Sequence, residues 1–181
     1  ASISVQIKAV QGFLGEIVTN SIKIEITELF SDKYKINSDK IISGITEKTT
    51  WASVLQTLNI QKKVKAYKGD TVLNDEDFVT TATEIRLYSG DTVIDTVTVV
   101  VTGDINGDGK ISLIDFSNIK AYMLGDKDFT SYDRYAADAN GDGKVSVADA
   151  RKLVVALAKN DTQALLEFGD VNGDGKISVA D

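Results

Sequence analysis

The residues best suited to chemistry lie in a short acidic motif that occurs three times in the chain. It reads DINGDGKIS at 104–112, DANGDGKVS at 138–146 and DVNGDGKIS at 170–178, and an aspartate follows each copy three residues later. All copies fit the pattern D-x-N-x-D-G-x5-D, with first aspartates 34 and 32 residues apart. Short oxygen-bearing side chains at alternating positions of a tight turn converge on one point, so the motif predicts binding sites for a hard metal cation.

The spacing is that of the EF-hand calcium loop, with aspartate in place of the usual glutamate at position 12. Ca²⁺ takes about six to eight oxygens in flexible geometry, whereas Mg²⁺ requires a near-octahedral shell, so calcium is the better match. A glycine at position 6 permits the sharp turn that the ligand geometry needs. The expected donors at positions 1, 3, 5, 7 (a backbone carbonyl), 9 and 12 are Asp104, Asn106, Asp108, Lys110, Ser112 and Asp115 in loop one, Asp138, Asn140, Asp142, Lys144, Ser146 and Asp149 in loop two, and Asp170, Asn172, Asp174, Lys176, Ser178 and Asp181 in loop three.

Two simpler interpretations exist for any single copy. The NGDG segment is typical of a type I′ hairpin turn, and Ser112 followed by Asp115 is typical of a helix capping box. Agreement of three copies at positions 1, 3, 5, 6, 9 and 12 favours the calcium interpretation. A capping box is compatible with it, because a helix is expected to start where each loop ends.

Composition narrows the remaining chemistry. The chain of 181 residues has no cysteine and no histidine, which excludes disulfides, thiolate or imidazole metal ligands and histidine acid–base catalysis. Its formal net charge of −7 argues against a nucleic-acid partner bound through a basic face. No apolar run approaches the ~20 residues that cross a bilayer, so no membrane association is expected.

Each of the first two loops leads into a helical pattern. FSNIKAYMLG after loop one places Phe116 and Ile119 at helical spacing and ends at Gly125, and ARKLVVALAKN after loop two ends at Asn160. Tandem units of a calcium loop and one helix resemble the dockerin type I family, in which the helix before each loop of a full EF-hand is missing. The resemblance covers about residues 103–160 and the third loop.

This resemblance implies a protein partner as well as a metal. Dockerins bind cohesin modules of scaffold proteins and attach enzymes or adaptors to extracellular assemblies such as the polysaccharide-degrading cellulosome of anaerobic bacteria. Positions 10 and 11 help to read the cohesin, and the hydroxyl pair common in one group of the family is replaced here by apolar residues. The implied partner contacts are Leu113, Ile114, Lys120, Val147 and Ala148. Packing at the helix entry is the alternative role of Leu113 and Ile114.

The third repeat departs from the two-repeat dockerin pattern, because 161–181 contains a loop without its helix. Position 8 is β-branched in every loop, as Ile111, Val145 and Ile177, which suits the short antiparallel contact through which EF-hand loops pair. Loops one and two are expected to pair with each other. The third loop is then expected to bind calcium most weakly, or to be completed by contact with another molecule.

Residues 1–101 have mainly strand patterns. ISVQIKAV and SIKIEIT alternate apolar and polar residues, KVKAY, TEIRLY and DTVTVVV follow, and SGDT between the last two indicates a hairpin. One helix is expected at about 50–59. A β-rich module that runs into the first loop with almost no linker resembles the X-type modules that precede dockerins, and this implies a rigid pair.

Two features of this module have competing interpretations. Trp51 is either a sugar-stacking side chain or part of the core of an amphipathic helix. The lysines 62, 63, 65 and 68 are interpreted as solvated protection of an edge strand.

The sequence thus predicts an N-terminal β-rich module (Ig-like or α+β, 1–101, with a sub-boundary near 30–33 left open), an all-α, EF-hand-like dockerin (102–160) and an incomplete third calcium repeat (161–181). The predicted function is non-enzymatic: calcium-dependent docking on a cohesin, outside a bacterial cell or at its surface. Calcium-stapled structural repeats without a cohesin are the alternative, and a carbohydrate-binding or hydrolase fragment is a further one.

Overall fold

The computed structural model describes residues 27–60 and 63–160. The strands predicted before residue 27 and the whole of 161–181, with loop three, lie outside the described residues. The strands are Lys35–Ile36 (β1), Ile41–Ile45 (β2), Val64–Lys68 (β3), Thr71–Val72 (β4), Glu84–Ser89 (β5) and Thr92–Val101 (β6). The helices are Trp51–Leu55 (α1), Leu113–Leu124 (α2), Ser131–Ala137 (α3) and Val147–Lys159 (α4).

The N-terminal part is β-rich, as predicted, and its strands form one mixed sheet in the order β1-β2-β6-β5-β3-β4. β5 and β6 form the expected hairpin, in which Ser89 pairs with Thr92. The pairing of β2 with β6 is parallel, with Ile41 opposite Thr98, and no sequence pattern predicted this pairing. The described strands thus form a single sheet with a helix against it, which is an α+β arrangement rather than two facing sheets.

Helix α1 is shorter than the predicted span of 50–59. Thr50 caps it by accepting a hydrogen bond from the Ser53 amide (3.3 Å), and the helix ends at Leu55. Trp51 is only 4% exposed and packs with Val54 in the core of the sheet. Its indole therefore belongs to the core and offers no open face on which a sugar ring could stack.

Residues on both sides of 30–33 belong to the same core. Leu29 and Tyr34 are buried in the cluster that also holds the central strands β5 and β6. The Leu29 amide donates a hydrogen bond to Asp95 Oδ2 of β6 (2.7 Å). The sub-boundary considered near 30–33 remains a prediction, while the described part of this stretch packs as one unit with the sheet.

Helices α2 and α4 follow the first two loops as predicted. Ser112 and Ser146 cap them, each in a capping box with the aspartate three residues further on. Gly125 ends α2 in the left-handed conformation, and Asn160 ends α4 in the same way. Helix α3 lies between the first two loop–helix units and carries a third capping box of this kind at Thr130.

A second core joins the sheet to these helices. Ile41 of β2 and Val100 of β6 are buried in one cluster with Ile119 of α2 and Leu153 of α4. Backbone and side-chain hydrogen bonds add to this contact, from the Gly103 amide to the Ala136 carbonyl (2.8 Å) and from Tyr135 Oη to Asp39 Oδ2 (2.7 Å). The chain passes from one part to the other without a linker, and the two parts bury apolar surface against each other. No helix among the described residues is long and apolar enough to cross a membrane.

Candidate calcium sites

Loop one is closed by its own carboxylate at position 12. Asp115 Oδ1 accepts hydrogen bonds from the amides of Ile105 (2.9 Å) and Asn106 (3.1 Å), and Oδ2 accepts one from the Ser112 amide (2.9 Å). Asn106 Oδ1 accepts from the Asp108 amide (2.9 Å). These hydrogen bonds hold residues 104–115 in a tight loop. The side chains expected to bind the metal all lie on this loop.

Asp104 holds position 1 of loop one and is fully buried. Its Oδ2 accepts a hydrogen bond from the Thr81 amide (3.1 Å), which belongs to the N-terminal part of the chain. Its Oδ1 is buried and has no hydrogen-bond partner in the part of the chain that the structure describes. A buried carboxylate oxygen without a donor is costly unless a cation or a proton satisfies it.

Loop two repeats the fold of loop one with a different arrangement at position 1. Asp138 Oδ1 accepts hydrogen bonds from the amides of Gly141 (2.8 Å) and Asp142 (3.1 Å), and Oδ2 accepts one from Gly143 (2.8 Å). Position 12 again closes the loop, as Asp149 accepts from the amides of Asn140 (3.1 Å) and Ser146 (2.8 Å). All the donors to Asp138 therefore come from loop two itself.

Three carboxylates of the loops, Asp104, Asp115 and Asp138, have raised pKa values. Burial raises the pKa of Asp104 from 3.8 to about 6, against the lowering effects of the Thr81 amide, the Gly109 amide of loop one and the Lys68 charge. Burial also raises the pKa of Asp115 and, at the partly exposed position 1 of loop two, of Asp138. Because a nearby cation favours the ionised form of a carboxyl group, metal binding opposes each of these shifts.

The donor set fits calcium, although the structure does not present a finished ligand cluster. Within residues 27–60 and 63–160, no three acidic side chains converge into a ready-made cation site. Like-charge repulsion favours the observed arrangement, in which each carboxylate faces backbone amides. The fit rests on the buried, unpartnered Oδ1 of Asp104 and on a loop that supplies only oxygen donors, which is the chemistry that Ca²⁺ selects.

The remaining ligand positions are placed as follows. Asp108 and Asp142 at position 5 accept hydrogen bonds from the amides of Lys110 and Lys144, two residues ahead. The serines at position 9 lie at the helix caps, where their hydroxyls donate to the carboxylate at position 12. All the candidate ligands of loop three lie outside the described residues.

The side chains implied in partner contact are mostly open to solvent. Leu113 is 66%, Ile114 60% and Val147 71% exposed. Lys120 is exposed and Ala148 is half-buried. Leu113 and Ile114 therefore do not pack at the helix entry, which was the alternative role considered for them.

Lys68 and Thr81 contact loop one, although no sequence pattern predicted that they would. β3 lies between β5 and β4, so Lys68 does not protect a free edge of the sheet. Its ammonium group donates hydrogen bonds to the carbonyls of Thr81 (2.9 Å) and Gly107, and desolvation lowers its pKa while Asp104 and Asp108 oppose this. No local pattern indicates such a contact, because it joins residues 39 positions apart.

These features describe the C-terminal part as tandem units, each made of a loop with oxygen ligands and one helix. Comparison with protein families agrees: residues 102–158 match the dockerin type I domain, and residues 162–181 match the EF hand. The C-terminal part of the chain is thus similar to a dockerin type I domain and to an EF hand, which indicates calcium-binding protein–protein interaction, and a dockerin is a non-catalytic module. No family model identifies the N-terminal module. Neither the curated proteins nor the solved structures contain a significant match.

Proposed function

We propose that this chain is a calcium-dependent docking module that binds a cohesin and thereby anchors its parent protein to an extracellular polysaccharide-degrading or cell-surface assembly. Dockerins in general bind cohesin modules, and this general property is the starting point. In this proposal residues 1–101 form an X-like module, 102–160 the two dockerin repeats, and 161–181 a third calcium repeat.

The observation that carries the proposal is the exposure of equivalent apolar side chains in both repeats. Leu113 and Val147 both occupy position 10, the first residue of the helix, and about two thirds or more of each side chain is open to solvent. Apolar side chains that a fold leaves open in this way at a fixed place in a repeat mark a contact surface for a protein partner. Positions 10 and 11 are apolar in both repeats, as Leu113 and Ile114 in the first and Val147 and Ala148 in the second. We therefore infer that the cohesin surface is apolar where it contacts these positions.

Calcium supports this surface indirectly. Position 10 follows the serine at position 9 and precedes the carboxylate at position 12, so the ligands of each loop fix the start of the helix that presents it. We propose two calcium sites, in loops one and two, with the ligands given above, and a weaker third site in loop three.

A binding experiment with a panel of cohesins tests the proposal. The protein is immobilised, each cohesin is passed over it in calcium and in chelator, and the double variant Leu113→Asp/Val147→Asp is compared with Leu124→Asp. Leu124 is 65% exposed at the opposite end of α2, so this control adds a charge at equal exposure away from position 10. We expect the double variant to bind on the order of 30-fold more weakly or worse, as for the loss of an interface hot spot.

The control is expected to bind as the unaltered protein does, and chelator is expected to abolish binding. Calcium binding without capture of any cohesin would instead favour the alternative function, structural repeats that calcium stiffens. Equal loss of binding in the double variant and in Leu124→Asp would remove position 10 from the contact surface.

A further inference from the structure

The N-terminal module contacts loop one through hydrogen bonds and close packing. The Lys68 ammonium group donates to the Gly107 carbonyl, to the Thr81 carbonyl and to Thr80 Oγ1, so one cation ties the loop to the segment that precedes β5. Gly107 is position 4 of the loop, which supplies no ligand in the EF-hand pattern. The lysine therefore contacts loop one without occupying a position that a metal ion needs.

A second contact orients the carboxylate at position 1. The Thr81 amide donates to Asp104 Oδ2, and Oδ1 is left buried and unpartnered. Thr81 is itself fixed, because its hydroxyl donates to the Val101 carbonyl (3.2 Å) and accepts from the Val101 amide (3.1 Å). A turn of the N-terminal module, held by hydrogen bonds to the end of β6, thus orients the carboxylate at position 1 of loop one.

A third contact is steric, and the two loops differ in it. Gly109 and Gly143 both hold position 6 with nearly the same backbone, at φ +85° and +84°. A Cβ added at Gly109 would lie 2.9 Å from Thr80 Cγ2, whereas one added at Gly143 would meet none of the described residues within 4 Å. A Cβ at Gly107 would lie 2.7 Å from the Thr81 carbonyl oxygen, so loop one and the module fit together at backbone distance.

We propose that Lys68, Thr80 and Thr81 are positioning residues of the first calcium site, so that calcium in loop one locks the N-terminal module onto the dockerin. This inference rests on calcium binding by loops one and two, as proposed above. Calcium and the N-terminal module then favour the same conformation of loop one. Calcium binding strengthens the packing of the module on the loop, and this packing strengthens calcium binding by the same factor, since coupling between two binding events is reciprocal. Loop two, whose position-1 donors are all its own, is expected to bind calcium without this coupling.

The matched glycines provide the main experiment. Gly109→Ala and Gly143→Ala introduce the same methyl group on the same strained backbone, and only the first meets the module. Calcium is titrated into each full-length variant, and the amide resonances of loops one and two are followed separately by NMR. We expect Gly109→Ala to weaken loop one about tenfold more than Gly143→Ala weakens loop two, the usual size of an overpacking penalty.

The variant Thr80→Ser removes Cγ2 and keeps the hydroxyl that accepts from Lys68. In the Gly109→Ala background it is expected to restore most of the excess loss, and alone to change little. Equal losses at the two loops, or no rescue by Thr80→Ser, would overturn the coupling. Failure of both loops of the unaltered protein to bind calcium would instead overturn the proposed function.

Hydrogen exchange gives a second measurement that does not depend on a strained variant. In chelator, Lys68→Met is expected to speed exchange of the loop-one amides of Ile105 and Asn106, with loop two unchanged. Lys65→Met removes the same charge from the same strand and is the control. Identical exchange in the two variants would show that Lys68 does not hold loop one.

Discussion

Loops one and two share a ligand pattern, capping serines and glycines in the same conformation, yet they lie in different surroundings. Asp104 of loop one is fully buried and accepts a hydrogen bond from the N-terminal module, whereas Asp138 of loop two is half-buried and accepts only from amides of its own loop. A cleft of about 580 Å³, lined by Asp39 and Tyr135 among others, lies beside Asp138 and Gly143. The same ligand pattern is therefore not expected to give the same stability in the two loops. Position 1 of loop one lies in a contact with the N-terminal module, whereas position 1 of loop two is partly open to solvent.

The largest expected difference between the loops concerns the ligand at position 1. With saturating calcium, Asp104→Ala is expected to lower the free energy of unfolding by about 1–3 kcal/mol more than Asp138→Ala, because it also leaves the buried Thr81 amide without an acceptor. The amides freed by Asp138→Ala lie at the exposed tip of loop two, where water replaces the carboxylate. Thermal and denaturant unfolding in calcium measure both values, and equal losses would contradict the comparison.

A smaller effect is expected from pH in the absence of calcium. The pKa of Asp104 in the fold, about 6, exceeds its ordinary value of 3.8, so the folded state binds more protons than the unfolded state between these values. The free energy of unfolding is then expected to fall as pH rises from about 4 to 6, by at most about 3 kcal/mol from this group. Asp115 and Asp138, whose pKa values are also raised, act in the same direction.

Denaturant unfolding in chelator across this pH range provides the measurement. Asp104→Asn keeps an acceptor for the Thr81 amide and removes the charge, so it is expected to flatten the pH dependence. Asp138→Asn, at the less buried position, is expected to flatten it less. A metal-free protein that became more stable between pH 4 and 6, or an unchanged slope in Asp104→Asn, would contradict the burial of Asp104.

The smallest effect is expected from loop three. Ile111 and Val145, at position 8 of loops one and two, pack in the same core, although no β-bridge of the kind predicted joins them among the described residues. Asp170→Ala is therefore expected to change the free energy of unfolding by less than about 0.5 kcal/mol, as for most surface substitutions. A loss as large as that of Asp138→Ala in the same unfolding experiment would show that loop three belongs to the folded unit.

Much of the fold and of the candidate sites was predictable because the signals are local. The motif contains both the turn glycines and the metal ligands. Ser112 and Ser146 predict the helices that they cap, because a capping box involves only residues three positions apart. The hairpin at SGDT and the central strands followed in the same way from alternation and turn residues. The end of α1 at Leu55 could not be predicted in this way, because the apolar pattern of a helix continues to Leu58. In the structure Leu58 follows a turn after the helix and packs in the sheet core.

Pairings between distant residues were beyond the sequence patterns. The parallel contact of β2 with β6 joins strands separated by α1 and three further strands, and nothing in either segment selects its neighbour. The interpretation of Lys68 as a solvated lysine at a sheet edge failed for the same reason, because alternation along a strand indicates which face is buried but not which segment lies against the end of the strand. The chemical identity of the calcium loops and of the dockerin repeats was thus determined by the sequence alone, since ligand spacing is a property of a dozen consecutive residues. Tertiary structure alone decided that loop one is buried against Thr80 and Thr81 while loop two remains open, because burial and hydrogen bonding depend on which distant segments the fold brings into contact.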